Sequence, residues 1–424
     1  MENNAQPASN NTIIRPDIEH NSVPCIIFYG AGPAIDTLTG WPALLLSGEQ
    51  MNIKHIVGAA ALLSVAAGAV AQETVVKIGH SGPLSGSQAF SGKDNENGVR
   101  LAIEELNAKP ITVAGKKIKF ELISEDDQGD PKAGVAAAQK LIDSGVKYVV
   151  GPYNSGVTVP ASRAYNDAGV IIATVASNPK ITQQGYKNLF RVNASDTQLG
   201  SKMALYAAKE MKLKTVAVID DRTAFGQGVA EEFKKQAKLS GLTVAGHEFT
   251  TDKSFDFTSI LTKLKAKNVE AIFFGGYAPQ GAPMARQMKQ LGINAKLLGG
   301  DTICTAEMGN LGGDAVGENV LCSQGGAILD KAANGPAFKA RFQKRFNQNA
   351  DVYAASFYDA TMLYAQAMQK ANSIDPVKVG PTIAAISYKG VAGNYAFDAH
   401  GDMKQSPVTI FTFKGGQLSP LTSY

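Results

Sequence analysis

Between residues 74 and 298 the chain alternates short β-branched or apolar runs with amphipathic helical stretches, and no feature constrains the fold more. Strands are predicted over 74–78, 118–124, 148–150, 171–173 and 189–192, with helices over 93–107, 130–144 and 155–168 between them. In the first of these helices Val99, Ile103 and Leu106 fall on one face. A helix over 197–211 leads into a second series: strands over 215–219, 242–248, 270–274 and 296–298, and helices over 226–239, 257–267 and 279–291. Parallel strands need crossovers of about a dozen residues or more, and helices of this length supply them. Two such series imply an α/β protein of two doubly wound, parallel-sheet domains. Beyond 300, helices over 336–346, 353–371 and 376–386 and strands over 395–397 and 408–413 have no βα series of their own. They are expected to complete the two sheets, so the chain crosses between domains more than once and builds a hinge.

In doubly wound sheets ligands collect beyond the carboxyl ends of the strands. The stretch 147–158, K-Y-V-V-G-P-Y-N-S-G-V-T, is a strand running directly into a helix start, with Ser155 or Thr158 expected as its cap. A helix N-terminus leaves backbone N–H groups unpaired at the positive end of a dipole, which suits a carboxylate.

The rest of the composition removes other functions. A net charge of +4 comes from interspersed charges without basic runs, so no nucleic-acid partner is expected. The five histidines are scattered, and no metal-ligand spacing, nucleophile elbow, phosphate-binding loop or dinucleotide fingerprint occurs. Asp126, Asp127 and Asp130 lack the downstream Glu of a calcium loop, and Asp130 before Pro131 reads as a helix cap. Neither a cofactor nor enzymatic activity is expected.

Residues 51–71 carry one Lys, Lys54, then an apolar run ending in Ala69-Val70-Ala71, the pattern of a cleaved secretory signal. Translation is expected to start at Met51, with 1–50 a doubtful, disordered extension, and the mature protein is expected to be exported, soluble and free of a lipid anchor. Cys304 and Cys322 are then an even pair in an oxidising compartment, able to close a disulfide loop; two buried free thiols are the alternative.

What remains is a set of small or aromatic residues at strand ends. Ser91 follows the first strand, Tyr153 and Ser155 the third, and Val175, Ala176 and Ser177 the fourth. Phe225, Tyr277 and Asp301 hold the same positions in the second series. One side of the cleft offers hydroxyls and N–H groups, the other a carboxylate and aromatic walls. This suits a zwitterion: carboxylate toward Ser155 and Ser177, ammonium toward Asp301, side chain against the rings.

With K-I-G-H-S-G-P-L-S-G at 77–86, D-D-Q-G-D-P-K at 126–132, G-P-Y-N-S-G-V-T-V-P-A-S at 151–162, D-D-R-T-A-F-G-Q-G at 220–228 and F-F-G-G-Y-A-P-Q at 273–280, the chain from Glu73 to Tyr424 resembles the leucine/isoleucine/valine-type periplasmic binding proteins of ABC importers. The resemblance implies a type I periplasmic binding fold, two lobes joined by three crossovers near Asn193, Gln324 and Ser406. The lobes would be 72–193 plus 324–406 and 194–323 plus 407–424. It also implies that Ser91, Ser155, Val175 through its main chain, Ser177, Phe225, Tyr277, Asp301 and Tyr353 contact the ligand. The better-known members have Tyr where Ser91 and Phe225 stand, Leu for Tyr153, Glu for Asp301, and a disulfide at the positions of Gly129 and Asn154, so side-chain selectivity is expected to differ. The expected function is that of a monomeric periplasmic protein that captures a branched-chain or other aliphatic amino acid and delivers it to the membrane subunits of an ABC permease. The alternatives are another small carboxylate or amide in the same fold, or a sensory ligand-binding module.

Overall fold

The computed structural model describes residues 73–424; the expected signal segment 51–71 and the extension before it lie outside the described residues. The first lobe opens with β1 (Glu73–Gly82), α1 (Ala89–Ala108), β2 (Thr112–Val113), β3 (Lys116–Asp126), α2 (Pro131–Asp143) and β4 (Tyr148–Val150). It continues through α3 (Ser155–Asp167), β5 (Ile171–Thr174), the short α4 (Lys180–Gln183) and β6 (Leu189–Arg191). Its sheet runs β2-β3-β1-β4-β5-β6, parallel except for the β2–β3 hairpin. Val99, Ile103 and Leu106 are buried against it, as the 3.6-residue period requires.

The second lobe takes α5 (Asp196–Lys209), β7 (Thr215–Asp220), α6 (Ala224–Leu239), β8 (Thr243–Phe249), α7 (Thr258–Lys265), β9 (Ala271–Gly275), α8 (Ala278–Gln290), β10 (Lys296–Gly299), α9 (Ala306–Gly312) and β11 (Val320–Gly325). The chain then returns to the first lobe for α10 (Gly335–Phe346), α11 (Ala354–Ala371), α12 (Pro376–Ala385) and a small ribbon of β12 (Tyr388–Lys389) and β13 (Asn394–Tyr395). It crosses again to finish with β14 (Val408–Lys414) and β15 (Gln417–Ser423), giving a second sheet ordered β15-β14-β11-β10-β9-β7-β8. The last two strands add to it antiparallel.

Three crossovers therefore join two doubly wound lobes, and they lie side by side. Gly325 packs so closely on Asn193 and Ala194 that a Cβ there would strike the Asn193 side chain, and the Gly326 N–H donates to the Pro407 carbonyl at 3.0 Å. Small residues at the hinge let the three segments run in contact.

Some local expectations need correction. Asn154, not Ser155, occupies the cap position of α3 and makes no side-chain capping bond; Ser155 is the first helical residue, and Thr158 Oγ1 donates back to the Asn154 carbonyl. Helix α1 begins at Ala89, so Ser91 sits in its first turn rather than in a loop. The strand expected over 395–397 joins neither large sheet but pairs with β12. Strand β11, with the sequence V-L-C-S-Q-G, was not anticipated. Asp130 does cap α2, accepting from the Lys132 and Ala133 N–H groups at 2.8 and 2.9 Å, with Pro131 in the first turn.

Candidate functional site in the interlobe seam

The strand order reverses beside β1 and β4 in one sheet and beside β7 and β9 in the other, which is where an open α/β sheet leaves a crevice. Tyr153 and Ser155 follow β4, Val175–Ser177 follow β5, Phe225 follows β7, Tyr277 follows β9 and Asp301 follows β10. Tyr353 immediately precedes α11, which packs on α1.

The rings meet across the seam. Tyr153 and Tyr353 of the first lobe lie 6.0 Å apart by centroid, Tyr153 lies 6.3 Å from Tyr277, and Tyr277 lies 5.3 Å from Phe225. All four are buried, in the tilted arrangements that aromatic quadrupoles favour. Ser91 is half-buried.

Asp301 is 1% exposed, and its carboxylate is only half satisfied. Oδ2 accepts from Asn193 Nδ2 at 3.2 Å and from the Tyr353 hydroxyl, while Oδ1 has no partner among the described residues. Burial pushes this carboxyl up to about 6, and the Tyr353 and Asn193 bonds moderate the rise. Asn193 also donates to the Val175 carbonyl at 3.2 Å and to the Tyr353 hydroxyl oxygen at 2.9 Å. A single amide on the first crossover thus collects groups from both lobes. Its signal in the sequence is a polar residue just beyond a strand end, the same signal that marks Ser177 and Asp301.

The opposite pole is built on the start of α3 and the loop after β5. The Ser155 hydroxyl oxygen accepts from the Asn178 N–H at 3.3 Å, so its proton is free to face a ligand. Arg191, at the end of β6 and fully buried, donates through Nη1 to the Ala176 carbonyl at 2.8 Å and the Asn178 carbonyl at 3.1 Å. Its Nε reaches Asp402 at 2.6 Å and its Nη2 the Thr182 hydroxyl at 2.9 Å. By holding those carbonyls the guanidinium fixes the loop carrying Ala176 and Ser177, and it places a positive charge beneath it. Ala176 is buried on this anchored backbone. Sequence reasoning passed over Arg191 and also over Asp196, a fully buried carboxyl near Ser177 and Asp301, held well above the usual carboxylate range by burial.

The lobes are closed on each other. Asn178 Nδ2 donates to the Ala224 carbonyl at 2.6 Å, and the Asp351 carboxylate accepts from the Ala306 N–H at 3.1 Å. Between them opens a groove of about 1090 Å³, lined by Asn154, Gly156 and Asn178 on one side and Asp221, Ala224 and Tyr277 on the other. Ser155, Ser177 and Asp301 are not on its walls; Asn154, Gly156 and Asn178, chain neighbours of the two serines, are, whereas no neighbour of Asp301 is. Cys304 and Cys322 form a disulfide that ties the turn after Asp301 to β11. Among the described residues no His, Cys, Asp and Glu cluster suits a metal ion, and no helix is long and apolar enough to cross a membrane.

Two doubly wound lobes joined by three crossovers, with the start of α3, a buried carboxylate and four aromatic rings brought to the seam between them, have the build of a hinged small-molecule receptor. The chain belongs to the periplasmic binding protein family, whose model matches residues 75–417. It is 33% identical over 361 residues to the leucine-, isoleucine-, valine-, threonine- and alanine-binding protein of Pseudomonas aeruginosa, covering 85% of this chain and 95% of that one. It is 31% identical to the Leu/Ile/Val-binding protein BraC3 of Rhizobium johnstonii, over 81% of this chain and 93% of that one. Among solved structures, the leucine-binding protein LivK of Thermotoga maritima superposes with a TM-score of 0.76 at 27% identity, covering 82% of this chain and 98% of the other.

Proposed function

We propose that this chain is the periplasmic solute-binding component of an ABC importer and that it captures an aliphatic amino acid, in the first place a branched-chain one, between its lobes. The observation that carries this reading is the pairing of opposite poles. The unpaired Oδ1 of buried Asp301 awaits a cation, and the Ser155 hydroxyl with the N–H groups at the start of α3 awaits an anion. The ligand ammonium goes to Asp301 and the Val175 carbonyl, its carboxylate to Ser155, Ser177 and the N–H groups beside them, and its side chain lies against Tyr153, Phe225, Tyr277 and Tyr353. Ser91 shapes the far wall. The names of the relatives, which bind leucine, isoleucine and valine, support the same ligand class.

The lobes act as 72–193 plus 324–406 and 194–323 plus 407–424, closing as rigid bodies about the hinge, and the closed monomer is what the permease membrane subunits recognise. No bond is made or broken in the ligand. Calorimetry of the purified protein with leucine, isoleucine, valine and benzoate tests the reading. A branched-chain amino acid binding with micromolar or better affinity, lost in Asp301→Ala with an unchanged melting temperature in the absence of ligand, is the expected result. Tight benzoate binding without amino-acid binding, indifferent to Asp301→Ala, overturns it in favour of an aromatic-acid carrier.

A further inference from the structure

We propose that Asn193, on the first crossover, is the positioning residue for the ligand's ammonium group: it holds the Val175 carbonyl of one lobe and the Asp301 carboxylate of the other at a separation that one ammonium bridges. The inference deepens the amino-acid reading and rests on it.

Asn193 is buried, and its amide NH₂ faces three acceptors. Nδ2 donates to the Val175 carbonyl at 3.2 Å, to Asp301 Oδ2 at 3.2 Å and to the Tyr353 hydroxyl oxygen at 2.9 Å. A carbonyl only accepts, so the nitrogen end of the amide is the one turned toward this group. Two protons serve three acceptors, and the bonds to Val175 and Asp301 are long for N–H···O contacts. Both oxygens also keep a second lone pair. An ammonium brings three protons and no acceptor, which suits a set supplied with too few donors.

The same amide fixes the carboxylate. The Tyr353 hydroxyl accepts from Asn193 and donates to Asp301 Oδ2, so the three side chains close a ring of hydrogen bonds. Held at Oδ2 by two donors, the carboxylate is kept from turning. The hinge in turn sets the amide. A Cβ on Gly325, in the second crossover, would strike Asn193 Oδ1, so the amide oxygen packs on that glycine while the nitrogen looks into the seam. Val175 and Asp301 ride on different lobes, and the spacing that Asn193 imposes on them belongs to the closed form. A donor to an ionised carboxyl also favours that form, so Asn193 opposes the rise that burial imposes on Asp301. A residue that merely filled space would leave that balance alone.

The test is calorimetry of leucine binding to the full chain between pH 5 and pH 8. Asn193→Leu keeps the branched shape of the side chain and removes both protons. It is expected to bind leucine about 10-fold more weakly at pH 8, and the pH below which affinity falls is expected to move up from about 6 by about half a pH unit or more. Asn193→Ala, smaller than the native residue beside Gly325, is expected to shift the profile in the same direction. The other titratable groups around Asp301 are the phenols of Tyr353, Tyr153 and Tyr277, all raised by burial, and the Asp196 carboxyl. Of these only the carboxyl can titrate between pH 5 and pH 8, so the comparison is repeated in Asp196→Asn, where the shift caused by Asn193→Leu is expected to persist. A profile flat to pH 5 in the unaltered protein, one that both Asn193 variants leave in place, or a shift that disappears in Asp196→Asn overturns the positioning role, even where affinity falls uniformly. Failure of leucine, isoleucine and valine to bind the unaltered protein overturns the amino-acid reading and this inference with it.

Discussion

At Asp301 burial and the proposed ammonium contact bear on one side chain. Its carboxyl, pushed up to about 6, prefers the protonated form in the empty seam, yet an ammonium ligand needs it ionised. Binding must therefore expel a proton when the pH is below about 6. Affinity for a zwitterionic amino acid is expected to be flat from pH 7 to 8 and to weaken below pH 6 by up to about tenfold per unit. Calorimetry in two buffers of different ionisation enthalpy would reveal the released proton at pH 5.5; a pH-independent affinity down to pH 5 would remove Asp301 from the ammonium contact. The stability of the empty protein responds in the opposite sense. The folded carboxyl keeps its proton over a range where the unfolded one, near 3.9, has lost it, so this group's contribution falls as pH rises from about 4 to 6. Arg191 is the converse case, a buried cation with all three of its nitrogens engaged. Arg191→Met is expected to destabilise the fold by about 3 kcal/mol, because two carbonyls and the partly exposed Asp402 lose their donor. Urea denaturation measures this. A loss below about 1 kcal/mol would mean that water replaces the guanidinium.

At the level of elements, the βα series was legible because its apolar periods are long and its strands are buried on both faces. Residues 148–150 are a strand at the expected limits and wholly buried. What escaped was local chemistry that only tertiary burial reveals. Strand β11 mixes Ser323 and Gln324 with apolar residues, and its strand character comes from pairing with β10 and β14 rather than from its own composition. Arg191, Asn193 and Asp196 look in sequence like a strand end, a linker and a helix start; only the fold shows them buried beside Ala176, Asp301 and Ser177. Close helix packing was equally hidden. Gly98 of α1 lies so near the Ala354 carbonyl at the start of α11 that a Cβ would collide with backbone. Gly98→Val is expected to part the two helices and cost about 2–3 kcal/mol, with Tyr353 displaced and ligand affinity reduced. Unchanged melting and affinity would show that α11 yields without loss. The Cys304–Cys322 bridge closes a loop with a sequence separation of 18, so reduction is expected to destabilise by roughly 3 kcal/mol in the chain-entropy model, read as a lower melting temperature in reductant.

For the whole molecule the hinge sets the thermodynamics. Affinity is the intrinsic affinity of the closed form reduced by the fraction of empty protein that is closed, so any contact between the lobes alone regulates binding without touching the ligand. Asn178 supplies such a contact through its bond to the Ala224 carbonyl, beside the Ser155 hydroxyl but made from the opposite side of the residue. Asn178→Ala keeps the N–H that Ser155 accepts and removes the bridge, at the cost of the Oδ1 bond to the Lys180 N–H on the very short α4. The open form is then favoured by about 1 kcal/mol, roughly a 5-fold rise in Kd. Small-angle scattering should show a larger radius of gyration without ligand and an unchanged one at saturation, because the ligand restores closure by its own contacts with both lobes. A variant equally compact when empty, yet binding more weakly, would locate the loss in the ligand contacts and not in the hinge. A variant still open at saturation would mean that closure depends on the lobes' own bonds, leaving the poles at Ser155 and Asp301 too far apart to be joined by one small ligand.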